Sequence, residues 1–162
     1  MRLITRNDDG YQLEEYLNYL KQIEGDLPED TRSFALAPWH YDMEHHWCPH
    51  DSWLETITLQ ELARGDRREI RKLGIVATFF GAYHDGFFDI TYKDVTSYSL
   101  NLEARRDSNA TVVHGDWIID EILLTEDGLV SHEIEFSESG VWKISCHDIV
   151  YQWRALAPRV YQ

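Results

Sequence analysis

His40, His45, His46, Cys48, His50 and Asp51 crowd one short stretch, with Asp42 and Glu44 among them. Imidazole and thiolate are favoured zinc ligands, and a hydrolytic zinc takes three protein ligands plus a water. A metal-assisted hydrolase would draw on His45 or His46, Cys48, His50 and Asp51, with zinc as cofactor. The spacing fits neither Cys-x-x-Cys nor His-Glu-x-x-His, and adjacent His45 and His46 diverge in regular structure. Trp39, Tyr41, Trp47 and Trp53 lie in and around the stretch. The stronger expectation is therefore a packed aromatic segment that needs no cofactor, its histidines bonded to backbone and Trp39, Trp47 and Trp53 largely protected.

Other chemistry is thinner. His-Asp occurs at 50–51, 84–85 and 147–148, and the middle pair is already explained by the Asp-Gly turn that follows it. Phosphate-binding glycine loops and a Gly-x-Ser-x-Gly elbow are missing. Asp120-Glu121 stands out within Trp117 to Thr125, an otherwise apolar run. In a half-buried strand one of the two carboxylates must point inward, where its titration is perturbed. The competing reading is an edge strand whose charges discourage sheet-to-sheet association.

The third feature is electrostatic. No Lys or Arg lies between Arg106 and Lys143, while Asp107, Asp116, Asp120, Glu121, Glu126, Asp127, Glu133, Glu135 and Glu138 accumulate there. A coherent negative field of this kind steers basic partners, and an aromatic within a charged rim anchors them. The residues expected to bind a basic protein partner are Trp117, Asp120, Glu121, Glu126, Glu133 and Glu135, with no catalytic residue among them.

These groups need elements to position them. Leu13, Tyr16, Leu17, Leu20 and Ile23 give an apolar helical stripe over 11–23, with Asp8 or Asp9 as cap and Gly25 as stop. Residues 26–38 read as linker. Residues 61–72 are either helix or loop, interrupted at Gly65-Asp66. A strand is expected at 53–59. From Leu73 the period becomes two, and turn signals at Asp85-Gly86, Asp127-Gly128 and Ser137 to Gly140 separate consecutive strands. Arg105 to Ala110 reads as a polar loop. Alternation places Val130, His132, Ile134 and Phe136 on one face with Trp142, Ile144 and Cys146 packed against them, His132 as a hydrogen-bonded core histidine. The class is α+β: an N-terminal helix, then a mainly antiparallel sheet of about seven strands in a meander, within a single domain over 1–162 (helix and linker to 38, strand-rich body from 39).

Composition agrees with a self-sufficient core: 162 residues, 43% hydrophobic and 13% aromatic. The net charge of −14 argues against nucleic acid and anionic membranes as partners and favours cationic ones. No apolar run approaches the roughly 18 residues of a membrane span, and the polar start is unlike a signal peptide. With two widely separated cysteines, a reduced cytoplasmic protein is expected.

Three strings, Pro49-His-Asp-Ser-Trp-Leu-Glu, Gly86-Phe-Phe-Asp-Ile-Thr-Tyr-Lys-Asp-Val95 and Glu133-Ile-Glu-Phe…Trp142-Lys-Ile, resemble small uncharacterised bacterial proteins. Some of those sit among the immunity proteins of polymorphic toxin systems. The resemblance spans about residues 49–151 and implies a non-catalytic, acidic, strand-rich protein that masks a basic toxin.

Overall fold

A computed structural model describes residues 3–8, 10–102, 113–138 and 140–157. The expected cap Asp9, the polar loop Arg105 to Ala110 and the acidic Asp107 lie outside the described residues. A short hairpin, β1 (Thr5–Asn7) and β2 (Gly10–Gln12), comes first. The helices α1 (Glu14–Ile23) and α2 (Glu29–Ala35) follow. Eight further strands follow among the described residues: β3 (Trp53–Arg64), β4 (Ile70–Phe80), β5 (Gly86–Lys93), β6 (Ser97–Asn101), β7 (Trp117–Leu124), β8 (Val130–Phe136), β9 (Val141–Cys146) and β10 (Asp148–Ala155).

The protein is thus mostly antiparallel sheet with two short helices, and four expectations need correction. The first helix does not open the chain, because Arg6 pairs with Tyr11 and Asn7 with Gly10 in the initial hairpin. The anticipated linker contains α2, whose first turn follows Pro28 and carries Glu29 and Asp30, both suited to a helix N-terminus. Residues 61–72 form no helix; they are the end of a long β3–β4 hairpin, whose loop over 65–69 begins at the expected interruption and turns at Gly65 (φ +84°) and Arg68 (φ +57°). There is no single meander. One sheet has the order β10-β5-β4-β3 and the other β6-β9-β8-β7.

The strand expected over Val141 to Tyr151 breaks at His147, and this break separates the sheets. The Asp148 carboxylate accepts bonds from the Thr31 backbone N–H and hydroxyl, at 3.1 and 2.8 Å, which pulls β10 under α2. His147 N–H donates to Lys93 carbonyl, while Thr96 N–H donates to Ser145 carbonyl. Two adjacent crossings between sheets are stitched together there.

The inward faces follow the alternation. Ile134, Phe136, Trp142, Ile144 and Cys146 are all buried and meet Phe79 of β4 and Tyr92 of β5 from the other sheet. Phe79 lies 5.0 Å from Trp117 edge-on and 5.9 Å from Trp142.

Candidate functional site

Strand β7 is an edge strand, yet nearly every outward group on it is occupied. Ile122 N–H donates to the Tyr16 hydroxyl at 2.7 Å and Leu124 N–H to the Tyr19 hydroxyl at 2.9 Å. The Tyr41 hydroxyl donates to Asp120 carbonyl, and Trp117 exchanges backbone bonds with Asp51 and Ser52. A bulge between Trp117 and Ile119 turns both Trp117 and Asp120 toward the interior. Both readings of Asp120-Glu121 therefore hold in part. The strand is an edge, Asp120 points inward, and Glu121 lies under the N-terminal segment, where Ile4 N–H donates to its carboxylate.

Asp120 is the centre of a closed network. Its carboxylate accepts from His40 Nε2 at 3.1 Å, from His132 Nε2 at 3.0 Å and from Trp117 Nε1 at 3.2 Å. His40 Nδ1 contacts the Phe34 carbonyl at 2.9 Å. A carbonyl and an ionised carboxylate only accept, so both nitrogens of His40 carry hydrogen and the ring is an imidazolium. Phe34 and Tyr41 lie parallel to that ring at 4.2 and 4.3 Å. Two parallel rings cannot share one face, so the cation is sandwiched between them. His132 is partnered at both nitrogens: its Nδ1 meets the Tyr92 hydroxyl at 2.9 Å and its Nε2 reaches Asp120.

Burial alone would raise the Asp120 carboxyl, but the His40 charge and the imidazole donors outweigh it and hold the group well below the usual carboxylate range. The carboxylate and both imidazoles are fully partnered by side chains and backbone of the protein itself.

The residues of the acid stretch are dispersed. Trp117, Asp120 and Glu121 are at most 2% exposed and present nothing to a partner, because the bulge and the N-terminal segment bury them. Glu126 is exposed at the β7–β8 turn, and Glu133 and Glu135 are half-buried on the outer sheet face, where Glu133 stands directly opposite Lys143. The members of the stretch do not form one continuous face.

The histidine-rich segment folds as consecutive turns, with His40, Asp42, His45 and Cys48 each donating backbone N–H three residues back. His45 accepts the Trp47 N–H, His46 meets Asp85, and His50 lies beside Asp51. The Cys48 thiol donates to His40 carbonyl and is pushed up to about 11 by burial. Among the described residues no three of these groups converge on a point that could hold a metal ion. Trp39 and Trp53 are half-buried, but Trp47 is 42% exposed, contrary to the expected protection.

That exposed ring belongs to a cleft of about 410 Å³ between α2 and edge strand β10, a feature that the sequence pattern did not reveal. Tyr151 and Trp153 form its floor and Phe34, Trp39 and Trp47 its wall. Trp39 stands 4.5 Å from Tyr151, and Trp47 meets Trp39 edge-on at 6.1 Å. The Tyr151 hydroxyl donates to Trp47 carbonyl at 2.7 Å and pins the wall to the strand. A Cβ at Gly86 would come within 2.3 Å of the Trp153 ring, so only glycine lets that indole lie where it does. At the α2 end Lys93 is held between Asp30 and Asp148, leaving one net negative charge. Solvent-facing rings at right angles, with a carboxylate at the rim, can take a cation or a flat apolar group. Comparison with protein-family models, curated proteins and solved structures finds no match to this chain.

Proposed function

We propose that this protein is a non-catalytic binding domain for a basic protein, in keeping with its resemblance to immunity-type inhibitors, and that the aromatic cleft beside β10 is its working surface. The observation that carries this reading is Trp47, 42% exposed and set against Trp39 and Tyr151 on a chain of net charge −14. A partly exposed indole is the type of anchor that concentrates interface energy, and the surrounding negative charge supplies encounter rate. The acid stretch contributes through its part in the overall field. Asp120 and its histidines support the fold instead of reacting.

Affinity capture from the native host, read by mass spectrometry, tests the reading. The expected result is a basic protein retained by the native chain, weakened as salt rises and lost with Trp47→Ala. Retention of the same protein at unchanged strength by Trp47→Ala would overturn the assignment of the cleft.

A further inference from the structure

The cleft runs along a sheet edge, β10, whose outward backbone groups beyond Ile149 have no partner among the described residues. Leu156 N–H donates to Asp85 carbonyl, which continues the β10–β5 register of Asp148 with Lys93 through Ala155 with Gly86. Bonded and non-bonded pairs alternate in an antiparallel ladder. Val150, Gln152 and Arg154 therefore turn their backbone groups toward β5, whereas Ile149, Tyr151 and Trp153 turn theirs outward. Ile149 N–H confirms the parity, since it bonds to the Thr31 hydroxyl of α2 at 2.8 Å. Past that point α2 leaves the edge. Among the described residues nothing bonds to the outward N–H and C=O groups of Tyr151 and Trp153.

We infer that the cleft binds an extended, lysine- or arginine-bearing segment of its partner by strand addition to β10; this rests on the binding-domain reading above. A strand laid along Tyr151 and Trp153 would exchange backbone bonds with both. Residues directly opposite those two share their face, so alternate side chains of the segment enter the cleft while the ones between face away beside Gln152 and Arg154. The cleft suits a cationic side chain. Its aliphatic stem lies against Tyr151 and Trp153, its charge faces the Trp39 and Trp47 rings, and Asp30 stands at the rim. The net charge of −14 favours a cationic occupant over an acidic one or a second copy of this acidic chain.

The test uses the full chain and three synthetic pentapeptides, with tryptophan fluorescence for binding and amide hydrogen exchange for the edge. Acetyl-Lys-Thr-Lys-Thr-Lys-amide should bind and should slow exchange at the Tyr151 and Trp153 amides. The same peptide methylated on the backbone nitrogens of its second and third lysines keeps its charge but loses two donors, and should bind about tenfold more weakly or worse. The glutamate counterpart should not bind. Equal binding of both lysine peptides, each abolished by Trp47→Ala, would overturn strand pairing while leaving the cleft as a cation site. Because protein capture can succeed whichever way the methylated peptide behaves, the two readings fail separately. No binding of either lysine peptide, or equal binding of the glutamate peptide, would overturn the proposal. Protection of the Tyr151 and Trp153 amides in the peptide-free protein would also overturn it, assigning the edge to the chain itself if independent of concentration and to a second copy if not.

Discussion

Edge strands β7 and β10 lie in different sheets, each beside a short helix and a wall of aromatic rings, and they are finished in opposite ways. Helix α1 runs far enough along β7 for Tyr16 and Tyr19 to reach two successive outward amides. Helix α2 gives β10 one hydroxyl, Thr31 to Ile149, and then departs. Behind β7 the rings enclose a saturated ion pair; beside β10 they face water with no charge between them. Similar residue types thus yield a closed structural edge and an open one. Past Ile149 the β10 edge lacks the cover that β7 receives, and an uncovered edge invites pairing.

The contrast breaks first at Asp120. Asp120→Ala leaves the His40 imidazolium and two further donors buried without their acceptor, and should lower stability by about 3–5 kcal/mol in denaturant titration. A loss under about 1 kcal/mol would show that water or another group already satisfies the network. Acid titration sharpens the same point. The Asp120 carboxyl is depressed in the folded state, so as pH falls the unfolded chain takes up its proton first, near the ordinary carboxylate value of about 3.9. Its contribution is complete above about pH 5 and is lost as pH drops toward the folded value. Thermal unfolding followed downward from pH 5 should therefore fall less steeply in Asp120→Ala than in the native chain. Parallel acid limbs would contradict the network's charge assignment.

Tyr16→Phe comes next. It removes one hydroxyl and leaves Ile122 N–H without an acceptor in a buried setting, which should cost about 1–3 kcal/mol. Exchange at Ile122 and Leu124 should accelerate locally, and an unaltered exchange map would mean that α1 does not seal the edge. The smallest stability effect belongs to the open side. Trp47→Ala should cost about 1–2 kcal/mol, because the ring is 42% exposed and gives up only part of the burial of a core tryptophan. A larger loss would make Trp47 part of the core packing and remove the main reason for placing a partner there.

Legibility in the sequence follows the same division. The period-two runs after Leu73 correctly indicate antiparallel strands, and the face of Val130, His132, Ile134 and Phe136 is the buried one, since each strand has one dry side. The turn at His84-Asp85-Gly86 is also readable, with His84 at φ +57°. Which strands pair is another matter. Val141 to Tyr151 reads as one strand from its apolar content, but the polar pair His147-Asp148 shifts the inward set from Trp142, Ile144 and Cys146 to Ile149 and Tyr151. The Asp148 side chain that reaches Thr31, 117 positions away, anchors the second half in the other sheet. The β3–β4 hairpin is obscured because edge strand β3 is mostly exposed and carries little apolar periodicity. Asp120 is visible as an acid in an apolar run, but the bulge that aims it and the histidine 80 positions away that neutralises it belong to the tertiary structure. The cleft leaves no local signal, since Phe34, Trp47 and Trp153 come from three separate segments.

The location of a bound cation decides most directly whether the open edge is the working surface. Backbone and indole resonances followed by NMR during titration with acetyl-Lys-Thr-Lys-Thr-Lys-amide give that location residue by residue. The largest shifts should fall on Trp39, Trp47, Tyr151 and Trp153, while Glu133, Glu135 and Lys143 on the outer face of the other sheet stay still. Shifts centred on Glu133 and Glu135 with the cleft unmoved would contradict it.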